Sequence, residues 1–498
     1  MTGRRSIIRG GLVLGSDGEA APRDIVIEDG RIVALEERGT PVGDDTEVLS
    51  AADRLLVPGL VNAHTHSHGA LNRGAVEDRV SLEMFLTGGG ASARSRGLEE
   101  KYLSAALSAA EMIRKGCTAC FDLTVEVPEP TPEGISAVAG AYRDAGMRAV
   151  VAPMIADRTI YQALPGLLEA LPDALRQSFA NLRVASIDKT FDACRTILAN
   201  WDFDRRFIRP ALGPTIPLHC SDEFLRECDR LSAEYGVRLQ THLAESRAQA
   251  AIGRTRYGVS LVAHLEELGF LSNRLSVAHA IWLENDDIRR LGSYGVTVAH
   301  NPSSNLRLGS GVAPVRDMLR AGVTVGIGTD ASNTSDGQNM FEATRFSSYL
   351  SRIEGFASDD WISAAEAFEM ATAGSAKGLG FENIGRLAVG CEADIVFLRL
   401  ESPHFVPLRA PLLQMVFGEN GASVDVVMIG GRIVFRGGKL LTLDEAALRL
   451  RAEEAARRLD EANATVFASG AEVSRLVGAF CAAQGCGAHF SARKLSCN

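Results

Sequence analysis

The stretch VPGLVNAHTHSHGALNRG, Val57 to Gly74, sets His64, His66 and His68 at every second position, just after an apolar run around Pro58-Gly59. Alternation at period two places residues on one face of a β-strand. A strand ending in His64-x-His66 therefore points two imidazoles into one space, as a metal site requires. An isolated His-x-His fits a solvated loop equally well, so the rest of the chain has to decide.

Seven later runs have the same strand-like form: GCTACFDL, MRAVVAP, FIRPALGP, VRLQTHLAE, LSVAHA, VTVAHNP and VTVGIGTD. Helical stretches separate most of them, among them KYLSAALSAAEMIRK (Lys101 to Lys115) and SDEFLRECDRLSAEYG (Ser221 to Gly236), the second opening on a Ser-Asp cap signal. Eight strands in such an alternation predict an α/β protein built as a (β/α)8 barrel. An open doubly wound sheet is the competing topology, but it rarely needs eight units.

The two ends of the chain echo each other. DIVIEDGRIVAL (Asp24 to Leu35) and VDVVMIGGRIVFRGG (Val424 to Gly438) each flank a two-residue turn, Asp29-Gly30 or Gly430-Gly431, with β-branched residues. Both are strong hairpin signals. A hairpin is not stable alone, so the two are read as halves of one small β-sandwich built from both chain ends. The organisation expected is 1–58 and 386–440 for that sandwich, 59–385 for the barrel, and 441–498 for a C-terminal helix and tail. Residues 441–468 read as a charged amphipathic helix; the last thirty or so, rich in Ala, Gly and Cys, carry no interpretable pattern.

Length, composition and charge exclude several classes. A chain of 498 residues is too long for one small core. Its 46% hydrophobic and 23% charged content is ordinary for a globular protein. A formal net charge of -10 with no basic tract speaks against nucleic-acid or anionic-membrane partners. The N-terminal residues reach glycine and acid before any apolar signal core forms, and no run is long enough to span a bilayer. Nine scattered cysteines do not make a disulfide scaffold in a chain of this size. Cys117 and Cys120 form a CxxC that reads as part of a buried strand rather than a redox or zinc pair. The expected location is the cytoplasm.

In a (β/α)8 barrel the chemistry sits where the strands end. Here strand 1 ends in His64 and His66, strand 5 in His242, strand 6 in His279, strand 7 in His300 and strand 8 in Asp330. Histidines serving only the core have no reason to collect at one end of successive strands. Imidazoles plus one carboxylate and an open position for water make a catalytic rather than a structural metal site. Glu245, three residues beyond His242, is placed to move a proton between water and substrate. Its bland alternative is a rim ion pair with Arg247.

At this point the chain resembles the amidohydrolase superfamily, in its mononuclear aminohydrolase branch. That branch holds the S-adenosylhomocysteine and methylthioadenosine deaminases, the guanine deaminases and the s-triazine hydrolases. The matching stretches are PGLVNAHTH, THLAES, VAHA, AHNPSSNLRLGSGVAPV and GTDAS, with GCEADIVFL and the closing hairpin as weaker matches. The resemblance implies one divalent metal, zinc or iron, bound by His64, His66, His242 and Asp330. It implies Glu245 as proton shuttle and His279 as the group that orients the attacking hydroxide or adds a fifth ligand. Asp330 can also accept the water proton.

The reaction implied is deamination of a small amino-substituted nitrogen heterocycle. The same site on another leaving group (chloride, alkylamine or an amide nitrogen) is the alternative, and a non-catalytic barrel scaffold is the remote one. Similar proteins are commonly dimers or larger, which implies a homo-oligomer. His300 and Asn301 are expected to pack or to hydrogen-bond behind the site. His68 is either a solvated loop residue or part of the substrate entrance. Asn72, Arg73 and Glu83 lie in the segment that holds substrate in similar enzymes.

Two departures are informative. Purine deaminases of this branch carry Gly-Pro-His after strand 4, whereas GPTIPLHCSDEFL has Thr215 at that histidine's place, which speaks against an adenosine-type substrate. His219 substitutes only if its loop turns inward. Binuclear relatives bridge their metals through a lysine or acid at the end of strand 4, and FIRPALGP has neither. Lys189 precedes that strand in a segment read as entering a helix.

Overall fold

The computed structural model describes residues 5–481 apart from 16, 42, 44–45, 89–95 and 354–356. All eight runs are strands: Leu60–His66, Cys117–Val125, Arg148–Ile155, Ile208–Pro214, Arg238–Leu243, Leu275–His279, Thr297–His300 and Thr324–Ile327, called barrel strands 1 to 8 below. They pair in parallel and in sequence order. Beyond strand 8 the chain continues into Asp330–Ala331, which pairs with Thr65 and His66 of strand 1. Thr329 N donates to His64 O at 3.1 Å. The barrel is thereby closed, and Asp330 lies beside the two histidines although 264 residues separate it from His66 in the chain.

Barrel strand 1 is not a plain alternation. Its register with strand 2 shifts between Asn62 and Thr65. Such an irregularity re-aims side chains beside an active site. Val61 and Ala63 pack with Phe121, Leu123, Val150 and Ala152 in the barrel core, while His64 and His66 both join the polar cluster above it.

Both chain ends meet in a second, mixed nine-stranded sheet. Arg54–Pro58 pairs antiparallel with Ile395–Arg399, which joins the N-terminal part to the C-terminal part. The two hairpins form as their turns predict, Ala20–Glu28 with Arg31–Glu36 and Val424–Ile429 with Arg432–Arg436. Their turns abut: a Cβ on Gly30 would stand 2.3 Å from Gly430 O, which requires glycine there. Ile8, Ile25, Ile27 and Leu56 from one end share a core with Ile395, Phe397, Val426 and Met428 from the other. A buried ion network fastens this sheet to the barrel. Arg148, at the start of barrel strand 3, donates to Asp394 at 2.8 Å and to Glu392 at 2.9 Å, and Arg206 also reaches Glu392. Both acids come from the GCEAD motif. Removing one partner of such a buried pair costs about 3–5 kcal/mol.

Cys117 and Cys120 are fully buried in barrel strand 2, and burial raises both thiols, that of Cys117 to about 12. They are strand residues. The C-terminal helix departs from expectation. It runs Glu445–Cys481, past the end at 468 that its charged pattern predicts. Its 37 residues span about 55 Å at the usual rise per residue. Ion pairs of Arg114 with Glu445, Arg451 with Glu99 and Arg458 with Glu99 and Glu100 bind it along the helix Leu98–Arg114. Its final turns pack Val473, Val477 and Cys481 against Tyr161, Leu164, Leu167 and Leu171, which follow barrel strand 3. That apolar contact continues a helix whose sequence pattern fades. The tail from 482 to 498 lies outside the described residues. No helix among the described residues is long and apolar enough to cross a membrane.

Candidate active site

Four imidazoles converge at the C-terminal ends of barrel strands 1, 5 and 6. Each turns its Nδ1 to an oxygen. His66 Nδ1 lies 2.7 Å from Leu123 O, and His242 Nδ1 lies 2.5 Å from Thr215 O. His279 Nδ1 is 2.8 Å from Asn305 Oδ1, and His64 Nδ1 is 2.7 Å from Gln240 Oε1. A carbonyl oxygen only accepts, so the Nδ1 of His66 and of His242 carries the proton. Gln240 must turn its NH2 toward Ala63 O, 3.0 Å away, which leaves its oxygen for His64. The Nε2 lone pairs of His64, His66 and His242 are therefore directed inward.

This arrangement demands a cation. His66 Nε2 and His242 Nε2 are 3.1 Å apart with both protons committed elsewhere, so two lone pairs face each other. His64 Nε2 is buried without a hydrogen-bond partner. Protonation does not relieve the conflict. Burial, together with His64, lowers His66 to about 4, and burial with the neighbouring His64, His66 and His279 lowers His242 well below the usual range. Asp330 Oδ1 lies 3.3 Å from His66 Nε2 and 3.6 Å from His64 Nε2. Burial alone would raise this carboxylate, but the neighbouring His64, His66 and His279 hold it well below its ordinary range. Ser304 donates to its other oxygen at 2.5 Å. Ligand atoms of His64, His66 and His242, and of His64, His279 and Asp330, lie within 4.8 Å of one another. Neutral imidazoles with one anionic carboxylate suit a zinc-class ion.

Backbone strain accompanies this convergence. His279 (φ 70°), Ala280 (φ 51°), Asp330 (φ 60°) and Ala244 (φ 46°) all occupy the left-handed region. For residues other than glycine that conformation is held against a local cost, and such residues gather at functional sites.

Glu245 follows Ala244 in the tight link into the helix Arg247–Tyr257. It is 3% exposed, and Oε2 lies 3.6 Å from His279 Nε2. Burial, then the nearby Asp330 and Glu83, raise its carboxyl well above the ordinary value. Arg247 forms no ion pair with it among the described residues. Glu83, buried, accepts from Ser246 Oγ.

These groups open into a cavity of about 590 Å³ whose wall includes His66, His242, Glu245, His279 and Asp330. His68 lines it, so it is a cavity residue rather than a solvated loop residue. His219 lines it too, carried inward by the short turn Pro217–His219, and burial with the nearby Arg256 lowers it to about 4. Asn72 is buried, whereas Arg73 pairs with Glu111 and lies outside the wall. Asn301 Nδ2 lies 3.3 Å from His279 Nε2, and His300 is buried beside it. Lys189 is exposed on the helix Ile187–Ala199. Gln240, Ser304 and Asn305 escape the sequence reading. Only Gln240 had a signal, its place two residues before His242 on the same strand face.

Known proteins agree with this architecture. The model of the amidohydrolase family matches residues 55–434. The chain is 33% identical to a 5-methylthioadenosine/S-adenosylhomocysteine deaminase of Desulforudis audaxviator, over 92% of this chain and 99% of that one. Among solved structures it superposes on an adenosine deaminase from Xanthomonas campestris with bound zinc (TM-score 0.79, 27% identity, 92% of this chain and 98% of that one). It also superposes on an atrazine chlorohydrolase from Arthrobacter aurescens complexed with zinc (TM-score 0.80, 25% identity, 91% and 100%). With the barrel, the two-ended sheet and the histidine–aspartate cluster in place, the chain belongs to the amidohydrolase family.

Proposed function

We propose that this chain is a zinc-dependent deaminase of amino-substituted nitrogen heterocycles of the purine nucleoside type. The observation that carries the reading is the inward convergence of the histidine Nε2 atoms beside Glu245, at the wall of a cavity large enough for such a ligand. The relative named for methylthioadenosine and S-adenosylhomocysteine and the zinc-bound adenosine deaminase support it.

His64, His66, His242 and Asp330 are the ligands in this reading. These residues would hold a divalent metal, which would supply a water activated as nucleophile, its pKa brought to about 7. Asp330 and His279 receive and orient the water proton. Glu245, whose carboxyl is raised by burial and its acidic neighbours, gives a proton to a ring nitrogen as the ring carbon is attacked. The emptied Glu245 carboxylate then carries the remaining hydroxyl proton from the tetrahedral carbon to the exocyclic amine, which leaves as ammonia. The oxygen stays as a carbonyl, the ring nitrogen keeps its proton, and the first water proton, held by Asp330, restores Glu245. His219, neutral at pH 7 and facing the cavity, takes the heterocycle-reading place that Thr215 cannot fill. The active protein is a homo-oligomer in this reading, by analogy with similar proteins.

Similarity to the chlorohydrolase supports a second reading, in which the same residues displace chloride or an alkylamine. Incubating zinc-loaded protein with 5-methylthioadenosine, adenosine and chloro- and amino-s-triazines, with ammonia and chloride both measured, separates the two. Ammonia from the nucleosides supports deamination; chloride alone, from the triazines, supports the second reading.

A further inference from the structure

We propose that the C-terminal helix is a specificity-determining wall of the substrate cavity, and that Gly470 sets the space available to whatever the heterocycle carries. The proposal rests on the deaminase reading only for its choice of substrates.

Val466, Gly470, Val473, Val477 and Cys481 follow one another at spacings of four and three, so they form a single stripe along one face of the helix. The C-terminal half of that stripe is packed against Tyr161, Leu164, Leu167 and Leu171. The N-terminal half, Val466 and Gly470, lines the same cavity as His66, His242, Glu245, His279 and Asp330. One face thus serves first as cavity wall and then as packing surface.

The wall is held in place from both sides. Arg451 and Arg458 tie the preceding turns to Glu99 and Glu100. Beyond the cavity the helix lies so close to the helix Leu82–Thr87 that a Cβ on Gly478 would stand 2.8 Å from Met84 Sδ. Glu83, on that second helix, reaches the link that carries Glu245 through Ser246. A helix Cα–Cβ bond points away from the axis, so a side chain added at 470 enters the space its Cα borders. The reacting groups lie on the barrel strands and their links, so this wall meets the part of the substrate remote from the reacting carbon. Its residues therefore select the substituent and leave the chemistry alone.

The experiment compares zinc-loaded wild type, Gly470→Ala and Gly470→Leu on adenine and on S-adenosylhomocysteine, the same ring without and with a long substituent. Gly470→Leu is expected to lower kcat/KM for S-adenosylhomocysteine by about tenfold or more through KM, with adenine changed by less than about threefold. Gly470→Ala should fall between, and it decides the matter if the leucine variant does not fold. Equal effects on both compounds, or none on either, would overturn the proposal. If wild type releases ammonia from neither, the purine deaminase reading fails separately. The wall is then judged by the rate at which 1,10-phenanthroline, a bulky planar chelator, removes zinc. Slower removal from Gly470→Leu supports the wall, and an unchanged rate overturns it.

Discussion

Gln240 accepts the Nδ1 proton of His64 at 2.7 Å, and its own amide protons go to Ala63 O and Ser276 Oγ at 3.0 and 3.2 Å. All three contacts are buried, so the orientation of the amide, and with it the tautomer of His64, is fixed by groups outside the cluster. Gln240→Leu removes that constraint while keeping the volume apolar. Metal affinity should fall by about 10–100-fold, the usual cost of losing such a partner. Competition with a chelator of known affinity measures it, and unchanged affinity would mean that His64 needs no orienting group.

Glu245→Gln keeps the shape of the side chain but cannot carry a proton. Turnover should fall by about 10²–10⁴-fold with zinc content unchanged. Elemental analysis beside the ammonia assay checks both halves, and a loss of less than about tenfold would place Glu245 outside the chemistry.

His66 and His279 are lowered from 6.5 to about 4, chiefly by burial. A folded-state pKa below the unfolded one means that the unfolded chain binds more protons in between. Stability of the metal-free protein should therefore be level from these groups above pH 6.5 and fall as pH drops from there toward 4. Thermal melts of metal-free protein across that window test it, with a shallower slope expected for His66→Gln. A flat profile would show that these imidazoles are not held neutral in the folded protein.

His219→Ala should raise KM for a purine nucleoside more than it lowers kcat, because the residue lines the cavity and, among the described residues, forms no hydrogen bond or ring contact with the histidine–aspartate cluster. Steady-state kinetics on whichever nucleoside is turned over gives the split. A pure kcat effect would assign His219 to the chemistry instead.

Much of the barrel is legible in the sequence because its signal is repeated: eight apolar runs, five of them ending in histidine or aspartate. Topology then does the assembling, as with Asp330, brought beside His66 by barrel closure. What stays hidden are residues whose role depends on a partner distant in sequence. Gln240 reads as an ordinary polar residue until Ala63 and Ser276 are seen beside it. Arg73 reads as a substrate contact until Glu111 captures it. The end of the C-terminal helix is obscured because its last turns, rich in Ala, Gly and Cys, carry no clear pattern, whereas the fold uses Gly478 for a close approach to Met84. His219 could be named from its loop, but only the turn Pro217–His219 directs it inward.

A bridging acid or lysine is missing from barrel strand 4, and the two candidate ligand triads share His64, so one ion per chain is the expected load. The most direct measurement of the central reading is a zinc titration of metal-free protein, followed by the rate of ammonia release from 5-methylthioadenosine. The rate should rise from zero and saturate at one zinc per chain. Ammonia release that persists without metal, or that grows until a second zinc is bound, would contradict a single-metal deaminase at this site.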